Sequence, residues 1–320
     1  MQRTVLCENH GIRSDILDNH TVMGAMNLHD MTYVGKQPIF DRSLQAVGFE
    51  MLYRDSDKNC FPSHVSSRDA TASIISHQLL YGLHQQEEHG ADYFVNFDQR
   101  TILDQYPKLL PAHKVVIEIL ESAKPDTALT SSLTELHTLG YRIALDDFNI
   151  EQYELWSQIL PYVYIVKIDV LNFDVFSSDV IRILEQLKHQ FPNLKLLAEK
   201  VESESVMTHC LKFGFDFFQG YYLSKPEVLS FVTVKPLEKT YAEVYSLLQN
   251  ETFDIDAIAR VIKNDAGFSS RLHNFSTSDN INRKDREEPI NLHHAIATLG
   301  KDLFNVFLDI TGAPSSTANA

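Results

Sequence analysis

Residues 115–121 read VVIEILE and residues 143–147 read IALDD, two short apolar runs that each stop on carboxylates. The first carries Glu118 and Glu121, the second Asp146 and Asp147. Four further runs repeat the pattern. YFVNF (93–97) brings up Asn96, YIVKID (164–169) Lys167, KLLAEKVE (195–202) Glu199, and FDFFQG (215–220) Gln219. Near-continuous apolar runs suit parallel strands buried on both faces. A polar group wherever a strand ends is how a (β/α) barrel carries a site, because the strands form the wall and their C-terminal ends hold the chemistry. A doubly wound sheet would share the rhythm but gather its polar residues at one switch point. The acids, with one Asn and one Lys, form the ligand inventory of a hard-cation site rather than of a nucleophile triad. Metal-assisted hydrolysis of an anionic substrate is the chemistry this implies.

Outward from these runs, each strand is followed by a stretch at helical spacing, such as TALTSSLTELHTLG (127–140) and SSDVIRILEQLKHQF (177–191). Upstream, TYVGKQPIFDRSLQAVGFEMLYR (32–54) predicts two strands around a polar turn, and residues 70–87 predict a helix. Downstream, SKPEVLSFVTVKP (224–236), with Pro226 and Pro236, is expected to close the barrel. From about residue 238 the chain reads as helices only: KTYAEVYSLLQN, DIDAIARVIKND and LHHAIATLGKDLFNVFLDI. The fold class expected is α/β, a TIM-like (β/α) barrel over 31–236 followed by a small all-α region over 237–310. A mobile leader (1–30) and a disordered tail (311–320) are expected to flank them.

The net charge of -15 argues against direct DNA binding, which needs a basic surface. Cations bridging two negative partners would still allow an acidic chain to hold a phosphodiester. Cys7, Cys60 and Cys210 suggest neither a disulfide framework nor a metal-binding CxxC, and a reducing cytoplasm is the expected compartment. No apolar run reaches transmembrane length, so no membrane association is expected.

Taken in order, these residues resemble the EAL family of cyclic di-GMP phosphodiesterases over about residues 33–236. Its naming motif stands here as Glu50-Met51-Leu52, preceded by Gln37-Pro38-Ile39 and followed by Arg54. The resemblance implies that Glu50, Asn96, Glu118 and Asp146 ligate a first Mg2+ or Mn2+ ion, and that Asp147 with Glu199 serves a second. Lys167 would orient or polarise the attacking water. Gln219 would hydrogen-bond within the water and metal network, and Glu121 would anchor the loop after Asp147. Gln37, Leu52 and Arg54 would meet substrate, with Arg54 near a phosphate and Leu52 packing. Two ions on the order of 4 Å apart would activate a bridging water for in-line attack, opening cyclic di-GMP to linear pGpG without a covalent enzyme intermediate. By the same resemblance the chain would act in bacterial control of motility and biofilm growth.

The wording of QPIFDRSLQAVGFEMLYR (37–54), GYRIALDDF (140–148) and FFQGYYLSKP (217–226) is similar to the subfamily in which an HDOD domain follows the barrel. Residues 254–275 and 290–300 resemble the start of HDOD, here truncated or diverged. His293-His294 has no Asp at a metal-binding spacing and reads as a helix-surface pair. The further associations the resemblance allows are a homodimer and a protein partner reached through the C-terminal helices.

Two departures divide the functional reading. After Asp146-Asp147 the family has Phe-Gly-Thr-Gly, whereas this chain has Phe148-Asn149-Ile150-Glu151, and AEGVE is AEKVE here, with Lys200 in place of glycine. Lost glycines force another loop path and weaken the case for a second metal. Lys200 would either repel that ion or lie outside the barrel. A working phosphodiesterase and a non-catalytic cyclic di-GMP sensor or interaction scaffold therefore both stand. Retained converging acids, costly without cations, favour the enzyme.

Overall fold

The computed structural model describes residues 29–81, 90–172, 177–277 and 291–312. Most of the expected leader, most of the expected tail, the end of the 70–87 helix and Cys7 lie outside these residues. Strands β1 (His29–Asp41) and β2 (Ala46–Arg54) form the expected antiparallel hairpin. Asp41 Oδ1 closes its turn by accepting from the Ser43 and Gln45 amides at 2.8 and 2.9 Å. β3 (Asp92–Phe97), β4 (Val115–Ile119), β5 (Arg142–Leu145), β6 (Ile165–Asp169), β7 (Lys195–Glu199) and β8 (Phe217–Phe218) follow in parallel register from β2. β8 then pairs antiparallel with β1 at Phe40 and Phe218, and the eight-stranded circuit closes there.

Segment 224–236 therefore does not close the barrel. Its strand β9 (Glu227–Val234) lies antiparallel along the first half of β1, from His29 to Lys36, outside the circuit. β1 is long enough to offer this edge to β9 and still reach β8 with its last residues.

Period-two alternation builds the barrel interior. Phe94, Val116, Ala144, Ile165 and Leu197, one from each of β3 to β7, pack with Ile39 as a small inner core. Gly48 of β2 leaves room for Phe94, whose ring atom Cε2 lies 2.7 Å from where a Cβ would stand. Two residues further along each strand stand Glu50, Asn96, Glu118, Asp146, Lys167, Glu199 and, after β8, Gln219. One inward layer is thus apolar and the next is polar.

Outside the wall run α1 (Ser67–Tyr81), α2 (Gln99–Leu103), α3 (Thr127–Thr138), α4 (Ser178–Gln190) and α5 (Glu204–Lys212). Asp98, Asp126 and Ser203 cap α2, α3 and α5 through amides three residues on. The β5–β6 link breaks the rhythm, since it holds only short 3-10 turns at Ile150–Trp156 and Leu160–Tyr162. Asn149 caps the first turn and Pro161 stands at the start of the second, so a continuous α-helix has no room.

Helices α6 (Glu238–Leu248), α7 (Ile255–Ile262), α8 (Ala266–Thr277) and α9 (Leu292–Gly312) form the expected all-α region. They share one continuous apolar core with the barrel. Buried Arg271 of α8 fastens them, donating to Ser76 Oγ of α1 at 3.1 Å and to the Val234 carbonyl of β9 at 2.9 Å. His293 does have an acid: its Nε2 lies 3.2 Å from Asp256 Oδ1 across α7 and α9. Local spacing could not show that pairing because the two come from different helices. Both side chains are largely exposed, which leaves this a surface ion pair. Cys210 is a buried free thiol. No helix among the described residues is long and apolar enough to cross a membrane.

Gly267 marks where α8 meets the link from the barrel. A Cβ there would lie 2.5 Å from Pro236 N and 2.6 Å from the Lys235 carbonyl carbon. Both contacts are backbone, which yields poorly. Gly267→Ala is expected to lower stability by about 1–3 kcal/mol, the usual cost of overpacking. The urea midpoint measures it, and an unchanged midpoint would show that the link gives way freely.

Candidate active site

Lys167 is wholly buried at the centre of the polar layer. Its Nζ lies 2.7 Å from Asp146 Oδ1, 2.8 Å from Glu118 Oε1, 3.0 Å from Glu199 Oε1 and 3.7 Å from Glu50 Oε2. Burial alone would discharge the amine, but the four carboxylates outweigh it and hold the ammonium well above lysine's ordinary range. One cation cannot satisfy four buried acids. Burial lifts Glu118 well above the carboxylate range, lifts Asp146 in the same direction, and takes Glu199 to about 8. Glu50 is the exception. Burial pushes it up too, but Lys167, the Gln219 and Asn96 amides, and Arg54 together bring it below its usual value.

The amides explain how Glu50 is fixed. Gln219 Nε2 donates to its Oε2 at 2.7 Å and Asn96 Nδ2 to its Oε1 at 3.1 Å. This leaves both amide oxygens, Asn96 Oδ1 and Gln219 Oε1, buried without a hydrogen-bond partner. Glu118 Oε1 and Oε2 and Glu199 Oε2 are in the same state. Glu118 Oε1 stands close to Lys167 Nζ but outside hydrogen-bond alignment, so the contact is an ion pair only. Five acceptor oxygens without donors would be expensive in a finished core. Oxygen-only, partly anionic ligands are what a hard divalent cation takes, so the donor set fits Mg2+ or Mn2+. The described acids stand around the ammonium rather than in a ready-made metal cluster.

Strand geometry sets the rest. Glu50, Leu52 and Arg54 share one face of β2, opposite Gln37, Gly35 and Tyr33 of β1. Buried Arg54 is held by Asn59, whose Oδ1 accepts from Nη2 at 2.8 Å and from Nε at 3.1 Å, and Asn59 in turn donates to the Pro226 carbonyl. Its guanidinium is thus fixed near Glu50 before any ligand arrives. Glu121 lies in the turn after β4. Burial and the neighbouring Asp146 and Asp147 charges raise its pKa, while Lys200 opposes them. It lies near the acids whose following loop it was expected to anchor.

Asp146 and Asp147 part company at the end of β5. The Asp146 amide donates to the Ile119 carbonyl at 2.9 Å and the Phe148 amide to the Lys167 carbonyl at 2.8 Å, so the turn is clamped between β4 and β6. Within it Asp147 takes a left-handed φ of 41°. Its Oδ1 comes to 3.5 Å from Lys200 Nζ. Lys200 is therefore neither remote nor outside the barrel mouth. It also lies 2.5 Å from Oδ2 of Asp169, a buried acid outside the expected site residues. Asp169 stands two residues after Lys167 on the same face of β6, and that spacing was the available signal.

Residues 77–226 match the family model described as EAL domain. The match begins after β2, leaving Gln37, Glu50, Leu52 and Arg54 to the barrel geometry. The chain is 30% identical over 284 residues to the cyclic di-GMP phosphodiesterase CdgJ of Vibrio cholerae serotype O1, covering 88% of this chain and 64% of that protein. It is 31% identical over 271 residues to the Bacillus subtilis protein YuxH, covering 84% of this chain and 64% of that one. The chain thus spans a little under two thirds of these relatives. Among solved structures, the Klebsiella pneumoniae BlrP1 manganese/cy-diGMP complex aligns with a TM-score of 0.50 and 19% identity, over 64% of this chain and 59% of that one. That likeness concerns the fold. Over residues 77–226 the chain is thus similar to EAL domains in sequence, and its barrel has the same fold.

Proposed function

We propose that this chain hydrolyses cyclic di-GMP to linear pGpG with the help of Mg2+ or Mn2+. The observation that carries the reading is the set of five donorless oxygens on Asn96, Glu118, Glu199 and Gln219, ringed around a buried lysine at the barrel mouth. The relative named as a cyclic di-GMP phosphodiesterase and the solved fold carrying manganese and cyclic di-GMP support the same substrate.

Glu50, Asn96, Glu118 and Asp146 would hold the ion. When bound, the ion supplies Lewis acidity toward a phosphoryl oxygen and a lowered pKa for water. Lys167, charged and fixed by four acids, orients the attacking water and offers positive charge where the phosphoryl group gains negative charge. Gln219 keeps Glu50 in place through its amide. Arg54, pre-set by Asn59, binds a substrate phosphate, with Gln37 and Leu52 beside it on the hairpin. Such catalysis is positional and electrostatic, and needs no side chain as nucleophile.

We read 31–236 as the EAL barrel and 237–310 as a partial HDOD-like region offering a surface to a protein partner. A cytoplasmic site of action in motility or biofilm control fits this assignment.

The test is pGpG formation, followed by chromatography, from purified protein with cyclic di-GMP and Mg2+ or Mn2+. Glu50→Ala should lower the rate at least about a hundredfold, the scale for losing one preorganised electrostatic group. Ca2+, with its looser coordination, should inhibit. Binding of cyclic di-GMP without pGpG would replace hydrolysis by sensing, and no binding would leave a scaffold.

A further inference from the structure

Two lysines, not one, sit among the acids of the barrel mouth. Lys167 leaves donorless oxygens around it, whereas the group around Lys200 has its charge already met. Asp169 Oδ1 accepts from the Leu171 and Asn172 amides at 2.8 and 3.3 Å, and Oδ2 accepts from Asn172 Nδ2 and Lys200 Nζ, both at 2.5 Å. A carboxylate offers about four lone-pair sites, and here four donors occupy them. Asp147 Oδ1 faces the same ammonium at 3.5 Å.

Backbone conformation sends Lys200 there. Alternation along β7 would turn it away from Glu199. Lys200 instead has a left-handed φ of 58°, which returns its side chain over the rim to Asp169, the register partner of Glu199. Such a φ costs a non-glycine residue of order 1 kcal/mol and persists where surrounding contacts hold it.

We propose that Lys200, paired with Asp147 and Asp169, is a resident cation standing where Asp147 and Glu199 would hold a second metal ion, so that this chain binds one divalent ion per barrel. The inference rests on the hydrolytic reading for the meaning of that position, but the ion count is measured independently. With the ammonium in place, a second ion must displace two charge-assisted or short hydrogen bonds and meet a like charge. The first ion competes with Lys167 for Asp146 and Glu118, but it also meets oxygens on Asn96 and Glu118 that have no hydrogen-bond donor.

The experiment is Mn2+ binding to the full chain, by equilibrium dialysis and by electron paramagnetic resonance, for wild type, Lys200→Gly and Lys200→Met. Glycine relieves the left-handed strain, so that variant should fold. Methionine keeps most of the side-chain length and removes the charge and the N–H donors. Wild type is expected to saturate at one Mn2+. Both variants are expected to reach two, with the second ion bound at least about tenfold more tightly than in wild type and a spin-coupled pair in the spectrum, as expected when a nearby like charge is removed. Two ions on wild type at matched affinity, or one ion on both variants, would overturn the proposal. Turnover in the same samples separates the claims: a count rising from one to two without any pGpG upholds Lys200 and rejects hydrolysis.

Discussion

Lys167→Met is expected to lower cyclic di-GMP turnover about a thousandfold while Mn2+ binding holds or tightens. Two physical effects pull apart in this variant. Lys167 supplies a positive charge and water-orienting contacts, and such groups are worth roughly 10²–10⁴ in rate. It also competes with any metal for Asp146, Glu118 and Glu199, whose oxygens lie 2.7, 2.8 and 3.0 Å from Nζ. Without it Asp146, Glu118 and Glu199 lose the ammonium that lies within 3.0 Å of each, and removing one member of a buried ion pair costs about 3–5 kcal/mol. The metal-free variant should therefore melt well below wild type, and Mn2+ should restore more stability to the variant than to wild type. Methionine fills the channel that the lysine stem fills, which limits the packing loss. Thermal melts with and without Mn2+, beside pGpG rates, check both halves. Retained turnover would remove Lys167 from the chemistry, and weakened Mn2+ binding would show that the lysine organises the acids rather than competing with them.

The inward layers show why so much of this site was legible in the sequence. Phe94 and Asn96, Val116 and Glu118, Ala144 and Asp146, Ile165 and Lys167, and Leu197 and Glu199 are each two residues apart. A strand that turns its apolar residue into the barrel must turn the next but one into the same space. The polar residue at each run's end was therefore readable as inward and as close to its equivalents. Asp169 obeys the same rule, but YIVKID carries two inward polar residues and nothing in the run shows that the second also belongs to the site. Lys200 was not readable in direction, since nothing in AEKVE announces a left-handed φ, and without it the alternation sends the side chain away. β9 was misplaced for another reason. A β-rich run between prolines shows that a strand exists, but its partner is set by which edge of β1 remains open. The docking of α8 depends on Arg271 reaching Ser76 and Val234, contacts between residues too distant in sequence for periodicity to register.

Stabilisation by a divalent ion should grow steadily from pH 6 to pH 8. Glu199 has an ordinary pKa of 4.5 and is raised by burial to about 8 in the fold, and Glu118 and Asp146 shift in the same direction for the same reason. An acid raised in the folded state favours folding while protonated. Its contribution is complete below about 4.5 and is lost as pH rises through the folded value. For Glu199 the gap of about 3.5 units sets an upper bound near 5 kcal/mol, at about 1.4 kcal/mol per unit. Glu50 runs the other way, its lowered pKa giving stability that is lost as pH falls, but it is one acid against three. Metal-free protein should thus weaken between pH 6 and 8. Ligation requires the ionised carboxylates, so ion binding releases the protons these acids hold, and affinity rises up to about tenfold per pH unit for each proton released. A melting-temperature gain with Mg2+ that is small at pH 6 and several-fold larger at pH 8 is the expected result. Proton release measured by calorimetry in buffers of different ionisation enthalpy should match it. A gain that stays flat with pH would mean that the acids are already ionised without metal, and that Lys167 alone suffices to keep them so.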